Sequence, residues 1–469
     1  NKLIILIIII LFSFLFYLSV PALYDYERLQ NQLKIELSKK FDLNVDISKN
    51  IKYRILPTPH FEVIDSKLYS KSDVNPKLIG NLKNTKIFVT VHKIYNQKYL
   101  NIKNVVFTKA VFNFNKKNIN FLIDNLKKKR GKKKIIIKKS KFFFKDKEKT
   151  ILIFPINNLE FYYSKNKLAN VVNFNGLVFN SKFFFNLTKE FNDEEEINFS
   201  LKFPAANLSI KNILKKIDRD GIKFQSLNTT NFLGSKIKTE INFKKNMLKY
   251  ESKKTNVSNN LKYSGSVNFK PFYLTSEISI ENWNWLKILT NSYFVSILLS
   301  NDFAIHKNFN SKIKVNINSF FKNKVFRNGI LNIETQNGKL SLDESYFELK
   351  DFGNITFDKS GLFVSDGSTI FKTNVLLNIN KPKKFYNTFQ VPLSFRKKIK
   401  KIQFSLESNL SLNSINVSNV IIDDKNKKQL NENLNRIIRD SNIMFLEKTS
   451  NWIEIRKIVN KLIKEINLV

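Results

Sequence analysis

From Leu43 to about residue 422 the chain changes between apolar and polar residues every second position, in many short runs. That period puts apolar side chains on one face and polar ones on the other, the pattern of a half-wetted antiparallel sheet. Leu43, Val45 and Ile47 begin it, Ile51, Tyr53 and Ile55 repeat it, and Pro57 and Pro59 end the second run. The clearest stretch is Leu100 to Phe114. Leu100, Ile102, Val106, Ala110, Phe112 and Phe114 are expected to share a dry face against Asn101, Lys103, Lys109 and Asn113, with Val105 and Phe107 breaking the pattern. Further dry faces are expected at Val172 and Phe174, at Phe183, Phe185 and Leu187, at Ile197, Phe199, Leu201 and Phe203, and at Ile237, Ile241 and Phe243. Others fall at Val267 and Phe269, at Ile278 and Ile280, at Ile313, Val315 and Ile317, and at Ile402, Phe404 and Leu406.

About 20–25 strands of this kind exceed what one open twisted sheet holds without curling or splitting. At about 4.8 Å per strand such a sheet extends on the order of 100 Å. Short helical pieces are expected at Asn118 to Leu126, Ile210 to Ile217 and Trp283 to Leu289, none long enough for the crossover of a parallel pair. The expected fold is mainly β: an elongated, curled antiparallel β-sheet forming a groove, with short interrupting helices. Its dry face is to be buried by curling, by a second sheet or by a ligand.

The ends read differently. Leu3 to Val20 is LIILIIIILFSFLFYLSV, without charge or Gly. Eighteen helical residues reach roughly 27 Å, close to the hydrocarbon thickness of a bilayer. An uncleaved N-terminal transmembrane helix is preferred over a cleaved signal, because the run is long for a signal core and Pro21 sits badly for cleavage. Either way the body is expected beyond the membrane. With Asn rather than Met at position 1, part of the preceding flank is expected to lie outside this sequence. Leu23, Tyr26, Leu29, Leu33, Leu37 and Phe41 then fall at helical spacing. Two C-terminal helices are expected, with stripes Leu430, Leu434, Ile437 and Ile438, and Trp452, Ile455, Val459, Leu462, Ile463 and Ile466. The expected divisions are residues 1–22, 23–130, 131–422 and 423–469.

The formal charge of +41 suggests nucleic acid, but Lys, Asn, Ile and Phe all have AT-rich codons and the lysines are mostly scattered. No nucleic-acid partner is expected for an exported body. One segment stands apart: Lys116 to Lys149 holds 15 of the 80 basic residues, where an even spread gives about six. There is no Cys, which removes thiolate chemistry and Cys-based metal sites. His60, His92 and His306 are isolated, no Gly-rich phosphate loop or Gly-x-Ser-x-Gly elbow occurs, and Asp193 to Glu196 reads as an acidic hairpin loop. No catalytic residue, metal site or cofactor is expected.

The order of these parts resembles the AsmA family of anchored envelope proteins, relatives of TamB and the bridge-like lipid-transfer group. An anchor and an amphipathic helix lead to IKYRILPTPHFEV, Ile51 to Val63, with its Leu56-Pro57-x-Pro59 step. Ile87 to Val91, Ile94 to Gln97, Leu100 to Phe114 and Asn118 to Leu126 follow in the family's order, then Ile135 to Phe144, Ile151 to Phe154 and Gly265 to Leu289. The match is good over residues 1–130 and loose beyond, with Asn and Lys often standing where the family has Gly at turns.

The resemblance implies an inner-membrane anchor, a periplasmic β-groove for phospholipid acyl chains along the dry faces named above, and a role in moving phospholipid or maintaining the outer membrane. The other function considered is a periplasmic scaffold that regulates outer-membrane protein assembly through protein contacts and moves no lipid. The basic run Lys127, Lys128, Lys129, Arg130, Lys132, Lys133 and Lys134 reads either as a solvated loop or as a contact to anionic headgroups, worth about 1 kcal/mol per basic residue. The apolar faces read either as a packed core or as an open slot. An outer-membrane barrel, which also alternates, is disfavoured by the anchor and the terminal helices.

Overall fold

A computed structural model of the chain describes residues 2–70, 76–114, 133–146, 149–178, 181–191, 196–204, 208–219, 222–232, 235–244, 247–253, 261–269, 271–284, 306–366, 368–409, 414–426, 428–440 and 452–468. The protein is mainly β: 25 strands belong to one sheet, with few helices and an apolar helix at the N-terminus. Two compact units form, one of Asn1–Val178, Lys182–Pro204 and Ser209–Lys216, the other of Phe179–Ser181, Ala205–Leu208 and Ile217–Val469.

The first unit starts with α1 (Lys2–Ser19), whose side chains from Leu3 to Phe16 are exposed. Among the described residues it is the one helix long and apolar enough to cross a membrane. A 3-10 turn, Val20–Leu23, follows, with Pro21 buried. In α2 (Tyr26–Phe41) the Asp25 carboxylate caps the helix by accepting from the Glu27 and Arg28 N–H groups at 3.0 and 3.4 Å. Leu29, Leu33, Leu37 and Phe41, four apart, are fully buried; Leu23 and Tyr26 stay exposed and do not join that stripe.

The strands of this unit are β1 (Asn44–Asp46), β2 (Ile51–Arg54), β3 (His60–Tyr69), β4 (Leu78–Val89), β5 (Ile102–Phe114), β6 (Lys134–Asp146), β7 (Lys149–Ser164), β8 (Ala169–Val178), β9 (Ser181–Glu190) and β10 (Glu196–Phe203). The α2 stripe packs with Val45, Phe61, Val63, Leu82, Ile87, Val105 and Phe107 in one core.

A single level of this sheet changes the alternation. Val63 and Ser66, Leu82 and Thr85, Phe107 and Ala110, and Ile137 and Ser140 are all buried, although each pair is three residues apart. Registers align them, Val63 with Thr85 and Phe107 with Ile137 on one side, Ser66 with Leu82 and Leu82 with Ala110 on the other. Asp65, Lys109 and Lys139, at φ 57°, 56° and 47°, sit between. A left-handed residue rotates the strand and exchanges its faces, as at a β-bulge. This corrects the expectation for Leu100 to Phe114: Val105 and Phe107 belong to the dry face and Val106, half-buried, to the other.

In the second unit β12 (Ile222–Phe232), β13 (Ser235–Lys244), β14 (Met247–Ser252), β15 (Leu261–Phe269) and β16 (Phe272–Ile280) lead to β17 (Ser311–Ile317) and β18 (Phe326–Gln336). There follow β19 (Lys339–Ser341), β20 (Tyr346–Leu349), β21 (Gly353–Ser365), β22 (Ser368–Ile379), α3 (Pro382–Phe389), β23 (Lys401–Asn409), β24 (Ser414–Ile422), β25 (Lys425–Asn426), α4 (Lys428–Asp440) and α5 (Trp452–Leu468). Phe352, Phe385, Phe389, Val420, Leu430, Leu434 and Ile463 join the three helices to the sheet.

Two further expectations are corrected. The sheet is not wholly antiparallel: β5 with β6 and β16 with β17 are parallel. Ile210 to Ile217 is not a helix but part of β11 (Leu208–Arg219), where Asn212 is buried and Ile213 is 44 % exposed, so the helical spacing of the isoleucines was coincidental. Asn118 to Leu126 and residues 285–289 lie outside the described residues. Trp283 itself makes a single parallel bridge to Phe320.

Candidate functional site: an aromatic row and an apolar cavity

In the first unit a row of ten phenylalanines runs along the dry face from β5 to β10. Phe112 and Phe114 each meet Phe142, at 5.0 and 5.2 Å between ring centroids. Phe114 reaches Phe144 (5.8 Å), and Phe144 reaches Phe154 (5.4 Å). Phe154 touches Phe183 (6.2 Å), which meets Phe174 (5.2 Å) and Phe203 (6.1 Å). Phe174 also meets Phe185 (4.8 Å), and Phe185 stacks on Phe199 (5.9 Å). Such offset and edge-on pairs add about 0.5–1.5 kcal/mol beyond area burial. Gly80 is part of the arrangement, since a Cβ there would lie 2.8 Å from Phe112 Cδ1.

Burial changes along the row. Phe112, Phe114 and Phe183 are buried, whereas Phe142, Phe144, Phe154, Phe174, Phe185, Phe199 and Phe203 are half-buried. The structure therefore brings the expected Phe112, Phe114, Phe183, Phe185, Phe199 and Phe203 into one surface. Leu187 pairs with Phe199 and Leu201 with Phe185, on the same face, and Ile197 is half-buried nearby in β10. Leu100, Ile102 and Ala110 are buried in the core of this unit, which Phe112 and Phe114 also join. Phe142, Phe144 and Phe154 were missing from the expected faces. Lys141–Phe142–Phe143–Phe144 has no alternation to read, and only pairing with Phe112 and Phe114 selects which rings face in.

In the second unit the expected residues also share one face. Phe243 pairs with Leu248, Leu248 with Val267, Ile278 with Val315, and Ile280 with Ile317. Ile313 pairs with Ile333, and Val375 and Thr373 pair with Phe404 and Leu406. Ile237, Ile241, Val315, Ile317 and Ile402 are buried, and Phe269 is 38 % exposed. The face is not uniformly apolar, because buried Thr230 and Thr239 hydroxyls lie 3.1 Å apart and those of Ser311 and Thr335 2.8 Å apart.

Ile402, Phe404 and Leu406 line a cavity of about 510 Å³ between the sheet and the helices. Ile355 and Leu377 continue its floor; Phe385 and Phe389 of α3, Leu434 and Ile438 of α4, and Trp452, Val459 and Leu462 of α5 form its other wall. Its volume falls in the range of ligand pockets, about 300–1,000 Å³. The polar lining is Lys322, Asn323 and Lys324, from the segment before β18.

Two of the seven basic candidates are described. Lys134 Nζ lies 2.8 Å from Glu160 Oε2 and over the Tyr162 ring at 5.4 Å. That hydrogen bond holds the Glu160 carboxyl below its usual range. Lys133 stands over the Phe41 ring at 5.7 Å, and burial, then Lys40, lowers its ammonium. Lys127, Lys128, Lys129, Arg130 and Lys132 lie outside the described residues. His60 is buried, stacked on Phe88 at 5.0 Å, with Nδ1 2.8 Å from the Thr58 carbonyl. Among the described residues no group of three or more acidic, His or Cys side chains forms a metal-binding cluster.

The chain matches no known family model and no curated protein.

Proposed function

We propose that this protein is anchored in a membrane by α1 and uses the dry face of its β-body to hold phospholipid acyl chains. The observation that carries the reading is that seven rings of the row, all from Phe142 to Phe203 except Phe183, are only half-buried: a packed core would bury these rings, whereas a lipid-bearing face leaves them accessible to a chain. The AsmA-like order of residues 1–130 supports an inner-membrane anchor with the body in the periplasm, and phospholipid movement or outer-membrane maintenance as the role. The apolar cavity of the second unit is a separate place for an acyl chain. No catalytic step is assigned to the protein.

The test is photo-crosslinking in cells. Photoreactive residues at Phe185 and Phe199 are expected to capture phospholipid. The same residues at Phe184, which is 40 % exposed on the other face of β9, and at exposed Lys202 are expected to capture none. Equal labelling of both faces, or none on either, overturns the reading; the second result favours the protein scaffold.

A further inference from the structure

The end of α1 is bonded into the first unit at several points. The Tyr17 hydroxyl, on the last turns of the apolar helix, donates to the Val91 carbonyl at 2.8 Å. The Tyr53 hydroxyl, from β2, donates to the Leu18 carbonyl at 2.6 Å. The Tyr24 hydroxyl donates to the Ile94 carbonyl, and Gln97 Nε2 to the Asp25 carbonyl at 2.9 Å. Burial pushes the Tyr24 and Tyr53 hydroxyls up to about 12, so both remain protonated donors. These bonds set a level. Tyr17 and Leu18 close the span, so Val91, Ile94 and Tyr53 stand where the span meets water.

The surface at that level carries exposed apolar and aromatic side chains among polar ones. Leu23 and Leu56 are each 81 % exposed, Tyr95 59 % and Tyr99 62 %, and Val91 is exposed beside them. The Leu56 turn belongs to the same level, because the Val89 N–H donates to the Pro59 carbonyl, two residues before Val91. Exposed apolar side chains gathered at one level mark an interaction surface, and Tyr concentrates at the headgroup level of bilayers.

We infer that Leu23, Leu56, Val91, Tyr95 and Tyr99 form a collar that seats the first unit in the lipid interface of the membrane that α1 spans. This rests on the proposed spanning role of α1. The fixed depth of Val91 against Tyr17 specifies lipid as the occupant: a residue bonded to the last turns of a spanning helix meets the interface.

The absence of Cys makes the test direct. Single variants Leu56→Cys, Tyr95→Cys and Tyr99→Cys of the whole chain are labelled with an environment-sensitive fluorophore and reconstituted in phosphatidylethanolamine–phosphatidylglycerol vesicles. Spin-labelled phospholipid is the quencher, labelled at shallow depth for the collar sites and deep in the acyl chain for the span. Ile8→Cys reports the span. Leu78→Cys, 41 % exposed, is the control, at the opposite end of the 12-residue β4 from Val89. Quenching at the three collar sites is expected to exceed that at Leu78 roughly threefold or more, since the strand places Leu78 about 35 Å from Val89. Quenching at Ile8 with collar sites no stronger than Leu78 overturns the collar and keeps the anchor. No quenching at Ile8 overturns the spanning role, and the collar with it.

Discussion

Phe185 and Phe199 stack across the antiparallel β9–β10 pair, their ring centroids 5.9 Å apart and their planes 22° from parallel. Both rings are half-buried. A charge placed there reaches water by a small side-chain movement. Phe107, 2 % exposed beneath α2, has no such route.

The two positions therefore separate an accessible face from a core. Phe107→Asp is expected to lose several kcal/mol and fail to accumulate folded. Phe199→Asp is expected to lose only about 1 kcal/mol, a small shift in Tm, while lipid capture at neighbouring Phe185 falls. Equal loss at both sites, read by thermal melting, rules out the accessible row.

Much of this was legible. In α2 the four-residue spacing of Leu29, Leu33, Leu37 and Phe41 admits one buried stripe, and the structure buries it. In β10, Phe199 and Leu201 alternate without interruption and share a face with Leu187 and Phe185. In β5 the same reasoning held from Ala110 to Phe114 but failed before Lys109, at Val105, Val106 and Phe107, because Lys109 takes a left-handed conformation that no single-strand pattern announces. Helix α3 was not anticipated, although Pro382 at its start and Phe385 and Phe389 four apart carry the signal. The cavity was invisible because its walls come from α3, α4, α5 and the sheet, which meet only in three dimensions.

Acid should act through Glu62. Its carboxylate accepts from Asn84 Nδ2 at 2.6 Å, with Arg54 and Lys86 3.7 and 3.9 Å away, and the Asn84 hydrogen bond first holds it below the usual 4.5. A lowered folded value gives stability that is present above 4.5 and lost as pH falls through the folded value. Glu62→Gln is expected to lower the urea midpoint at pH 7 and to match wild type well below the folded value. A deficit of the same size at both extremes would falsify the assignment.

The second unit depends on Leu430. It is fully buried in α4 among Val420, Leu434 and Ile463. Leu430→Ala is expected to cost about 2–5 kcal/mol. Leu406→Trp, by contrast, projects into existing space; it should leave Tm unchanged or raised and reduce uptake of a naphthylamine dye. Undiminished uptake would show that the dye binds elsewhere.

The Asp25 cap is a smaller test. Asp25→Ala removes both side-chain acceptances at the start of α2 and is expected to cost about 1 kcal/mol, read by chemical denaturation. Asp25→Asn should recover most of it. No difference between the two variants would mean that the cap contributes nothing measurable.

The row through Asp65, Lys109 and Lys139 gives the sheet something like a reading frame. On either side of it the strands are in opposite phase, and the neighbours switch at the same level. Loss of one residue at Lys109 would turn Ala110, Phe112 and Phe114 toward water while β4 and β6 kept their phase, so a deletion of one amino acid would act like a frameshift confined to half a strand. Substitution at Lys109 leaves the count intact and should be mild by comparison. Across these strands, length at that level is inherited jointly: a chain of this design tolerates changes in what its residues are more readily than changes in how many there are.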